Sequence, residues 1–260
     1  MISDSNYSYE TIHVQFDQRE IAKVCLNRPD KHNAMSEQML DELHDAARQI
    51  ACDRNVRAVI LAAEGFTFCA GADLTWMQRQ IESDSNMRAE QAAKVANMLN
   101  AVNSIPKPVI GAVHGNAFGG GVGLIAVCDI AIGVEGLKIG LTEVRLGLIP
   151  ATIGPYVVAR IGEANARRIF LNGRLFDTKT AVNLGLFSYS VTREKLDEAV
   201  NAEINSILEC APEAIGEAKQ FVRKLGLRID DKTIAMSIDA LKKRWETDEA
   251  SIRIDAFLRK

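Results

Sequence analysis

Three consecutive glycines, at positions 119 to 121, are well placed to do chemistry with the main chain. They follow a short branched apolar run, Pro108 to Val113, which predicts a buried strand. The apolar segment Val122 to Ile130 after them predicts a buried helix. Glycines between a strand and a helix leave backbone N–H groups uncovered at the helix N-terminus, where a negatively charged substrate oxygen is stabilised.

Two other interpretations of these glycines stay open at this point. The first is a tight turn that needs glycine only for packing. The second is dinucleotide binding, because Gly121 to Ala126 has the G-x-G-x-x-A spacing and Glu143 lies downstream. Several residues separate the strand from the first fingerprint glycine, which disfavours a dinucleotide site. No Lys-Ser/Thr pair follows, so the segment is not a phosphate loop.

A second loop of small residues, Phe68 to Leu74 (Phe-Cys-Ala-Gly-Ala-Asp-Leu), favours a substrate oxygen as the ligand. It also follows a branched apolar run, Ala58 to Ala63. Two such loops can each supply one backbone N–H to a single oxygen, which is the geometry of an oxyanion hole.

Composition restricts the class of protein. The chain has 260 residues, 47% of them apolar, and a net charge of −3, which gives no reason to expect nucleic acid or an anionic membrane as partner. No apolar run is long enough to span a bilayer, and the polar N-terminus does not resemble a signal or transit peptide. Five scattered cysteines are typical of free thiols in a reducing cytoplasm. Four histidines without ligand spacing predict no metal site; they are His13, His32, His44 and His114.

The first half of the chain reads as an α/β arrangement with a mostly parallel sheet. Strands are predicted at Thr11 to Phe16, Ile21 to Leu26 and Val56 to Ala63. Ser36 is a good N-cap for a helix with a stripe of apolar residues; they are Met39, Leu40, Leu43, Ala46, Ala47 and Ile50. Residues 76–88 mix apolar and charged side chains and predict a mobile helix-loop, and a helix follows from Glu90 to Ser104.

The second half is mainly helical. Short strands are predicted at Asp129 to Gly133, Lys138 to Leu141 and Phe187 to Val191. The predicted helices run from Pro155 to Arg160, Ala164 to Leu171, Thr178 to Leu184, Arg193 to Cys210, Pro212 to Leu225, Lys232 to Trp245 and Glu249 to Leu258. The change in pattern predicts an α/β core over residues 1–194 and a helical C-terminal region over residues 195–260, whose apolar residues should pack on the core or on a neighbouring subunit.

The two loops, together with Cys128-Asp129-Ile130 and Glu143, resemble the enoyl-CoA hydratase/isomerase (crotonase) superfamily. The resemblance covers nearly the whole chain. It implies a core built as a ββα superhelix, an acyl-CoA thioester as substrate, no metal or redox cofactor, and a homotrimer or hexamer with the C-terminal helices at the contact. It also implies that the N–H groups of Ala70 and Gly120 hold the thioester oxygen.

The same resemblance implies a binding site for coenzyme A. The loop from Ala70 through Gly71, Ala72, Asp73 and Leu74 would run along the adenine and the pantetheine. Arg28 and Lys31 lie in a loop where the family often has basic residues near the CoA phosphates, although exposed loop cations commonly have no such role. Lys260, at the end of the chain, is a further candidate CoA contact.

The acid–base residues depart from the usual hydratase pattern. The family's hydratases use two glutamates, of which one corresponds to Glu143 and the other to position 123, where this chain has Gly123. A single glutamate can act first as base and then as acid if burial raises its pKa towards the working pH. An isomerase that shuttles one proton with one carboxylate is therefore the main alternative. A thioesterase, a decarboxylase or a non-enzymatic CoA-binding member also stays open.

Longer motifs are most similar to the bacterial methylglutaconyl-CoA hydratase branch of the family, which acts in leucine breakdown. They are Gly71 to Met77, Phe118 to Leu124, Glu143 to Ala151 and Pro155 to Val158. This substrate has a methyl branch and ends in a carboxylate. We therefore hypothesise that Gly123 makes room for the branch and avoids charge repulsion, and that Arg145 pairs with the carboxylate. Arg145 could equally be a structural ion-pair partner.

Overall fold

A computed structural model describes residues 7–259, and Lys260 therefore lies outside the described residues. The larger of two sheets has six strands in the spatial order β1-β2-β3-β5-β7-β10, numbered along the chain. They are β1 (Ile12–Phe16), β2 (Ile21–Leu26), β3 (Ala58–Ala63), β5 (Val109–Val113), β7 (Ile130–Val134) and β10 (Tyr189–Val191). The first two strands pair antiparallel and every other neighbouring pair is parallel, as the sequence predicts for most of the sheet.

A smaller sheet carries the two glycine loops. Its strands are β4 (Thr67–Cys69), β6 (Asn116–Phe118), β8 (Lys138–Gly140) and β9 (Phe176–Asp177). Each of β4, β6 and β8 follows a strand of the larger sheet, so the chain winds from one sheet to the other in a superhelix. Because β4 and β6 are parallel neighbours, the loops after Cys69 and Phe118 leave the sheet at the same edge.

Helices cover the sheets and close the C-terminal end. They are α1 (Glu37–Cys52), α2 (Leu74–Glu82), α3 (Ser85–Asn103), α4 (Gly120–Ala126), α5 (Gly154–Phe170), α6 (Thr178–Leu184), α7 (Leu196–Leu208), α8 (Pro212–Leu225), α9 (Asp231–Trp245) and α10 (Asp248–Leu258). Short 3-10 turns occupy Pro29–Lys31, Glu143–Leu146 and Arg193–Lys195. None of the helices between residues 7 and 259 is long and apolar enough to cross a bilayer.

Local chemistry explains where the helices begin. The Ser36 hydroxyl accepts a hydrogen bond from the Met39 N–H at 3.2 Å, and the predicted apolar stripe of α1 is buried. The expected helix-loop at residues 76–88 is instead most of α2 and the start of α3. Asp84 accepts from the Met87 N–H at 2.8 Å, which starts α3 five residues before the predicted Glu90. Gly162 (φ 77°) breaks the helical geometry inside α5, between the two helices predicted there.

Apolar packing forms two clusters. The main core lies between the sheets and their helices, and it includes Leu196, Val200 and Ile204 of α7. The first helix of the predicted C-terminal region thus packs as part of the α/β core. The second cluster joins α2 and α3 to α9 and α10; it contains Trp76, Met77, Ala92, Leu148, Leu241, Trp245, Ala250 and Ile254. The last helices therefore bury apolar residues against their own chain.

Asp129 connects three parts of the fold. Its Oδ2 accepts hydrogen bonds from the Val109 N–H at 2.7 Å and from Lys219 Nζ at 2.6 Å. Lys219 also donates to the Lys107 carbonyl at 3.0 Å, and burial lowers the pKa of its ammonium group. The Asp129–Lys219 ion pair therefore fastens α8 to the strands β5 and β7.

Asp129→Ala should lower the free energy of unfolding by about 2–4 kcal/mol, because it leaves the buried Lys219 ammonium without its counter-charge. Urea unfolding followed by circular dichroism measures this loss. Asp239→Ala, which breaks the exposed Lys243–Asp239 pair, is the control and should leave the midpoint unchanged. Equal losses in both variants would contradict the structural role given to Asp129.

Candidate active site

The two glycine loops touch each other at the edge of the smaller sheet. A Cβ atom on Gly71 would lie 3.1 Å from the Phe118 carbonyl oxygen, and one on Gly119 would lie 3.8 Å from the Gly71 Cα. Both residues also have positive φ, 92° and 51°, a backbone conformation that residues with a side chain rarely adopt. Glycine at these positions therefore allows the loops to approach each other. The interpretation of these glycines as residues needed for packing is therefore correct in part, because their packing brings the two loops into contact.

The glycine loop leaves two backbone donors without an acceptor within residues 7–259, the N–H groups of Gly120 and Gly121. The Gly119 N–H donates to the Gly140 carbonyl at 3.0 Å, and the Val122 and Gly123 N–H groups donate to the Gly119 carbonyl. Gly120 is the first residue of α4, and its N–H has no acceptor within residues 7–259. Strand β6 lies between β5 and the glycines, so β5 does not run into Gly121 as a dinucleotide fingerprint requires.

The other predicted donor, Ala70, is not free. Its N–H donates to the His32 carbonyl at 3.0 Å. Two residues further on, Gly71 and Asp73 exchange hydrogen bonds with Met35, since the Met35 N–H donates to the Gly71 carbonyl and the Asp73 N–H to the Met35 carbonyl. Ala72 lies between them, and its N–H has no acceptor among the described residues. The prediction of Ala70 as donor is therefore wrong, and Ala72 has the available N–H.

Glu143 begins the 3-10 turn Glu143–Leu146, directly beside the glycine loop. Its Oε1 would lie 3.3 Å from a Cβ on Gly119. Its Oε2 is buried and has no hydrogen-bond partner among residues 7–259. Burial raises the pKa of the carboxyl group to about 7. Glu143 is thus not an exposed strand-end carboxylate, and its pKa lies where a group can both take and give a proton at neutral pH.

Position 123 faces the side chain of Ile153, which a second acid at this position would meet first. A Cβ on Gly123 would lie 2.6 Å from Ile153 Cγ2 and 3.6 Å from Leu99 Cδ1. Ile153 itself lines the cavity. The hypothesis that Gly123 makes room for a branched substrate is therefore wrong, because the Ile153 side chain fills that room.

Arg28 and Asp73 bond to each other and hold the loop together. Arg28 Nη1 lies 3.0 Å from Asp73 Oδ2 and also donates to the Ala34 carbonyl. Asp73 caps α2 by accepting from the Thr75 and Trp76 N–H groups. These hydrogen bonds and the Arg28 charge lower the pKa of Asp73, against the effect of its burial. Both predicted CoA contacts are therefore occupied by structural bonds that fix the loop of Ala72.

Of three other predicted site residues, one lines the cavity and two are exposed elsewhere. Lys31 is exposed at the end of the turn Pro29–Lys31, and Leu74 is 55% exposed and lines the cavity. Arg145 is exposed and packs against Gly173, whose Cβ would lie 3.1 Å from the Arg145 Cγ. Arg145 is not among the described residues that line the cavity, so the structure gives no support to its predicted pairing with a substrate carboxylate there.

The loops and Glu143 open into an apolar cavity of about 200 Å³. An apolar cavity of about 150 Å³ is enough to take up benzene, so this volume suits a short acyl group. The only lining side chains within residues 7–259 that carry an oxygen or nitrogen atom, apart from the Trp indoles, are Thr142, Glu143 and Thr152. The cavity wall contains no cationic side chain from the described part of the chain.

The C-terminal helices supply part of this wall, which the sequence did not predict. Leu241, Trp245 and Phe257 line the cavity together with Trp76 of α2. The two tryptophan rings meet edge to face with centroids 6.2 Å apart, and Trp76 Nε1 donates to Gln91 Oε1 at 2.8 Å. The helical period marks these residues as buried, but it does not show which cavity they border.

Comparison with solved structures shows the crotonase fold. An enoyl-CoA hydratase from Mycobacterium avium is 28% identical, covers 97% of both chains and superposes with a TM-score of 0.86. An enoyl-CoA hydratase from Shewanella pealeana is 31% identical, with a TM-score of 0.80, over 98% of this chain and 95% of that one. The predicted fold class, a crotonase-type core with a helical C-terminal region, is confirmed.

Sequence comparison extends this from the fold to the family. The family model described as enoyl-CoA hydratase/isomerase matches residues 17–260. A protein of Thermus thermophilus with a provisional enoyl-CoA hydratase name is 31% identical over 250 residues, which are 95% of this chain and 98% of that protein. The chain belongs to the enoyl-CoA hydratase/isomerase family.

Gly123→Ala should destabilise the protein by about 1–3 kcal/mol, because the added methyl group overlaps the Ile153 side chain. Differential scanning calorimetry measures the change. Ile153→Ala in the same chain should recover part of the loss, so the double variant should lose less than the sum of the single variants. Gly154→Ala, whose Cβ would meet only Phe170 at 3.7 Å, is the control and should not destabilise. Additive losses would contradict the overlap.

Glu143→Gln should stabilise the protein at pH 8 by about 1–3 kcal/mol, because the folded state penalises the ionised carboxylate. The pKa of Glu143 is raised from 4.5 to about 7, so this penalty is complete above pH 7 and disappears as the pH falls towards 4.5. The gain should therefore shrink severalfold at pH 5. Urea unfolding at both pH values tests this, with the exposed Glu217→Gln as control. An equal gain at both pH values would refute burial of a charged Glu143.

Proposed function

We propose that this protein hydrates the 2,3 double bond of an enoyl-CoA. One observation carries the proposal: the backbone N–H groups of Ala72 and Gly120 have no acceptor within residues 7–259, and both residues line the same cavity as Glu143, whose buried Oε2 has no partner among those residues either. Two donors aimed at one oxygen stabilise the charge that develops on a thioester. The names of the similar proteins, which are enoyl-CoA hydratase names, support the same reaction.

In the proposed mechanism, Glu143 moves the proton and the main chain holds the charge. The water oxygen bonds to C3 while the Glu143 carboxylate takes a proton from that water. The electrons of the double bond move to the thioester oxygen, where the Ala72 and Gly120 N–H groups stabilise the enolate. Glu143 then returns the proton to C2. A pKa of about 7 allows both transfers by the same group.

The lining of the cavity favours an apolar acyl group. Its described wall carries no cation, and an unpaired carboxylate in an apolar site is costly to desolvate. The motifs shared with the methylglutaconyl-CoA hydratase branch favour 3-methylglutaconyl-CoA, whose terminal carboxylate would need a partner. We retain this substrate as the second candidate, and we rank a short apolar enoyl-CoA before it.

Gly123 gives one specific reason to consider isomerisation as a second reaction. A hydratase of the usual kind positions water between two carboxylates, whereas an isomerase needs one carboxylate that removes a proton from C2 and returns it to C4. The described site has a single carboxylate. The two reactions differ in mass, because hydration adds a water molecule to the product and isomerisation does not.

We further propose that the enzyme acts in the cytoplasm as a trimer or hexamer, with an acyl-CoA as substrate and no separate cofactor. The apolar surface of α8 supports a contact between copies of the chain, since Phe221, Val222 and Leu225 are between 61% and 71% exposed. Lys31 and Lys260 remain candidate contacts for the CoA phosphates. Light scattering after size exclusion tests the oligomeric state.

The decisive assay follows crotonyl-CoA, 3-methylglutaconyl-CoA and a 3-enoyl-CoA by mass spectrometry with the wild type and Glu143→Gln. We expect a product with one added water from crotonyl-CoA, and at least a hundredfold lower rate in the variant, since general acid–base groups contribute about 10²–10⁴-fold. Faster hydration of 3-methylglutaconyl-CoA than of crotonyl-CoA would make 3-methylglutaconyl-CoA the first candidate substrate. A bond-shifted product without added water would make the protein an isomerase. Equal rates in both proteins would remove Glu143 from the mechanism.

A further inference from the structure

The 3-10 turn that carries Glu143 is fastened at its C-terminal end. Gly147 follows the turn with a left-handed φ of 73°, and its N–H donates to the Val144 carbonyl. The Leu148 N–H donates to the Glu143 carbonyl at 3.0 Å. A Cβ on Gly147 would lie 2.9 Å from the Ala250 Cα, so the absent side chain lets α10 pack directly on this backbone.

Arg244, at the end of α9, binds the same backbone from the other side. Its Nε donates to the Gly147 carbonyl at 2.7 Å, and its Nη2 donates to the same oxygen. Nη2 also lies 2.8 Å from Glu249 Oε2 at the start of α10. One guanidinium group therefore joins the end of the Glu143 turn to both C-terminal helices. Hydrogen bonds from a charged donor are roughly twice as strong as neutral ones.

We propose that Arg244 is a positioning residue that holds the Glu143 turn in place, so that the Glu143 carboxylate stays directed into the cavity. Arg244 does not line the cavity in the described part of the chain and so acts through the Gly147 carbonyl. The neighbouring Trp245 lines the same cavity, so docking of α9 closes the acyl site and fixes the acid–base group together. The proposal rests on the proposed function, because it needs Glu143 as the group that transfers the proton.

A purely structural role for Arg244 is the alternative. In that case its loss would lower stability, and the remaining folded protein would have normal kinetics. A positioning role predicts a change in the chemical step of the folded protein, because misplacement by about 1 Å can cost about a hundredfold in rate. It also predicts that Glu143 becomes more hydrated and that its pKa falls, since burial is the cause that raises it.

The test compares Arg244→Ala and Arg244→Lys with Lys243→Ala. Lys243 is adjacent and pairs only with the exposed Asp239 among residues 7–259, so its loss should change nothing. We expect Arg244→Ala to lower kcat about 10–100-fold with KM changed less than about threefold. The acid limb of its pH–rate profile should move to lower pH. Arg244→Lys, which keeps one charged donor, should recover part of kcat.

A second measurement does not depend on activity. Carbon-13 NMR of carboxyl-labelled glutamate, with Glu143→Gln for assignment, gives the Glu143 titration in the wild type and in Arg244→Ala. A lower Glu143 pKa in Arg244→Ala supports positioning even if the wild type hydrates no enoyl-CoA, an outcome that would refute only the proposed function. An unchanged titration with kcat within twofold of wild type would overturn the proposal. If Arg244→Ala does not fold, Arg244→Met, which keeps an apolar stem but removes both donors to the Gly147 carbonyl, takes its place with the same criteria.

Discussion

The close approach of two backbone segments, at Gly71 and Gly119, is the constraint on which the site depends. It brings the loops of Ala72 and Gly120 and the Glu143 carboxylate to the wall of one cavity, and a Cβ on either glycine would lie only 3.1–3.3 Å from the other loop or from Glu143. The parallel neighbours β4 and β6 place both loops at one sheet edge. The Arg28–Asp73 pair and the hydrogen bonds of Met35 then fix the loop of Ala72. Several polar residues of the region thus fix the geometry of the backbone.

A carboxylate held in an apolar cavity without a partner is unfavourable for folding. The protein tolerates this at Glu143 because the 3-10 turn is fixed by its own hydrogen bonds and by the docking of α9 and α10. The same burial that reduces stability brings the Glu143 pKa close to neutrality. Reactivity and local instability therefore have one physical cause, which is the removal of water from the carboxylate.

Local sequence patterns predict much of the fold, but they predict the site only approximately. The apolar period of α1, the cap at Ser36 and the branched runs of β2 and β5 are fixed by neighbouring residues, so the sequence predicted them closely. The donor in the first loop was misplaced from Ala72 to Ala70, because the pairing of Met35 with Gly71 and Asp73 decides which N–H is free. The filling of position 123 by Ile153 and the participation of Trp245 in the cavity are also long-range contacts. Local periodicity carries no information about them.

The wall of the cavity has one further consequence. The chain contains only two tryptophans, Trp76 and Trp245, and both line this cavity with their rings in edge-to-face contact. All of the indole fluorescence of the protein therefore originates at the acyl site, from one residue of α2 and one of the C-terminal helix α9. Emission wavelength and quenching report directly on the filling of the cavity and on the docking of α9. The unmodified protein thus carries its own optical probe at the position where substrate is expected to bind.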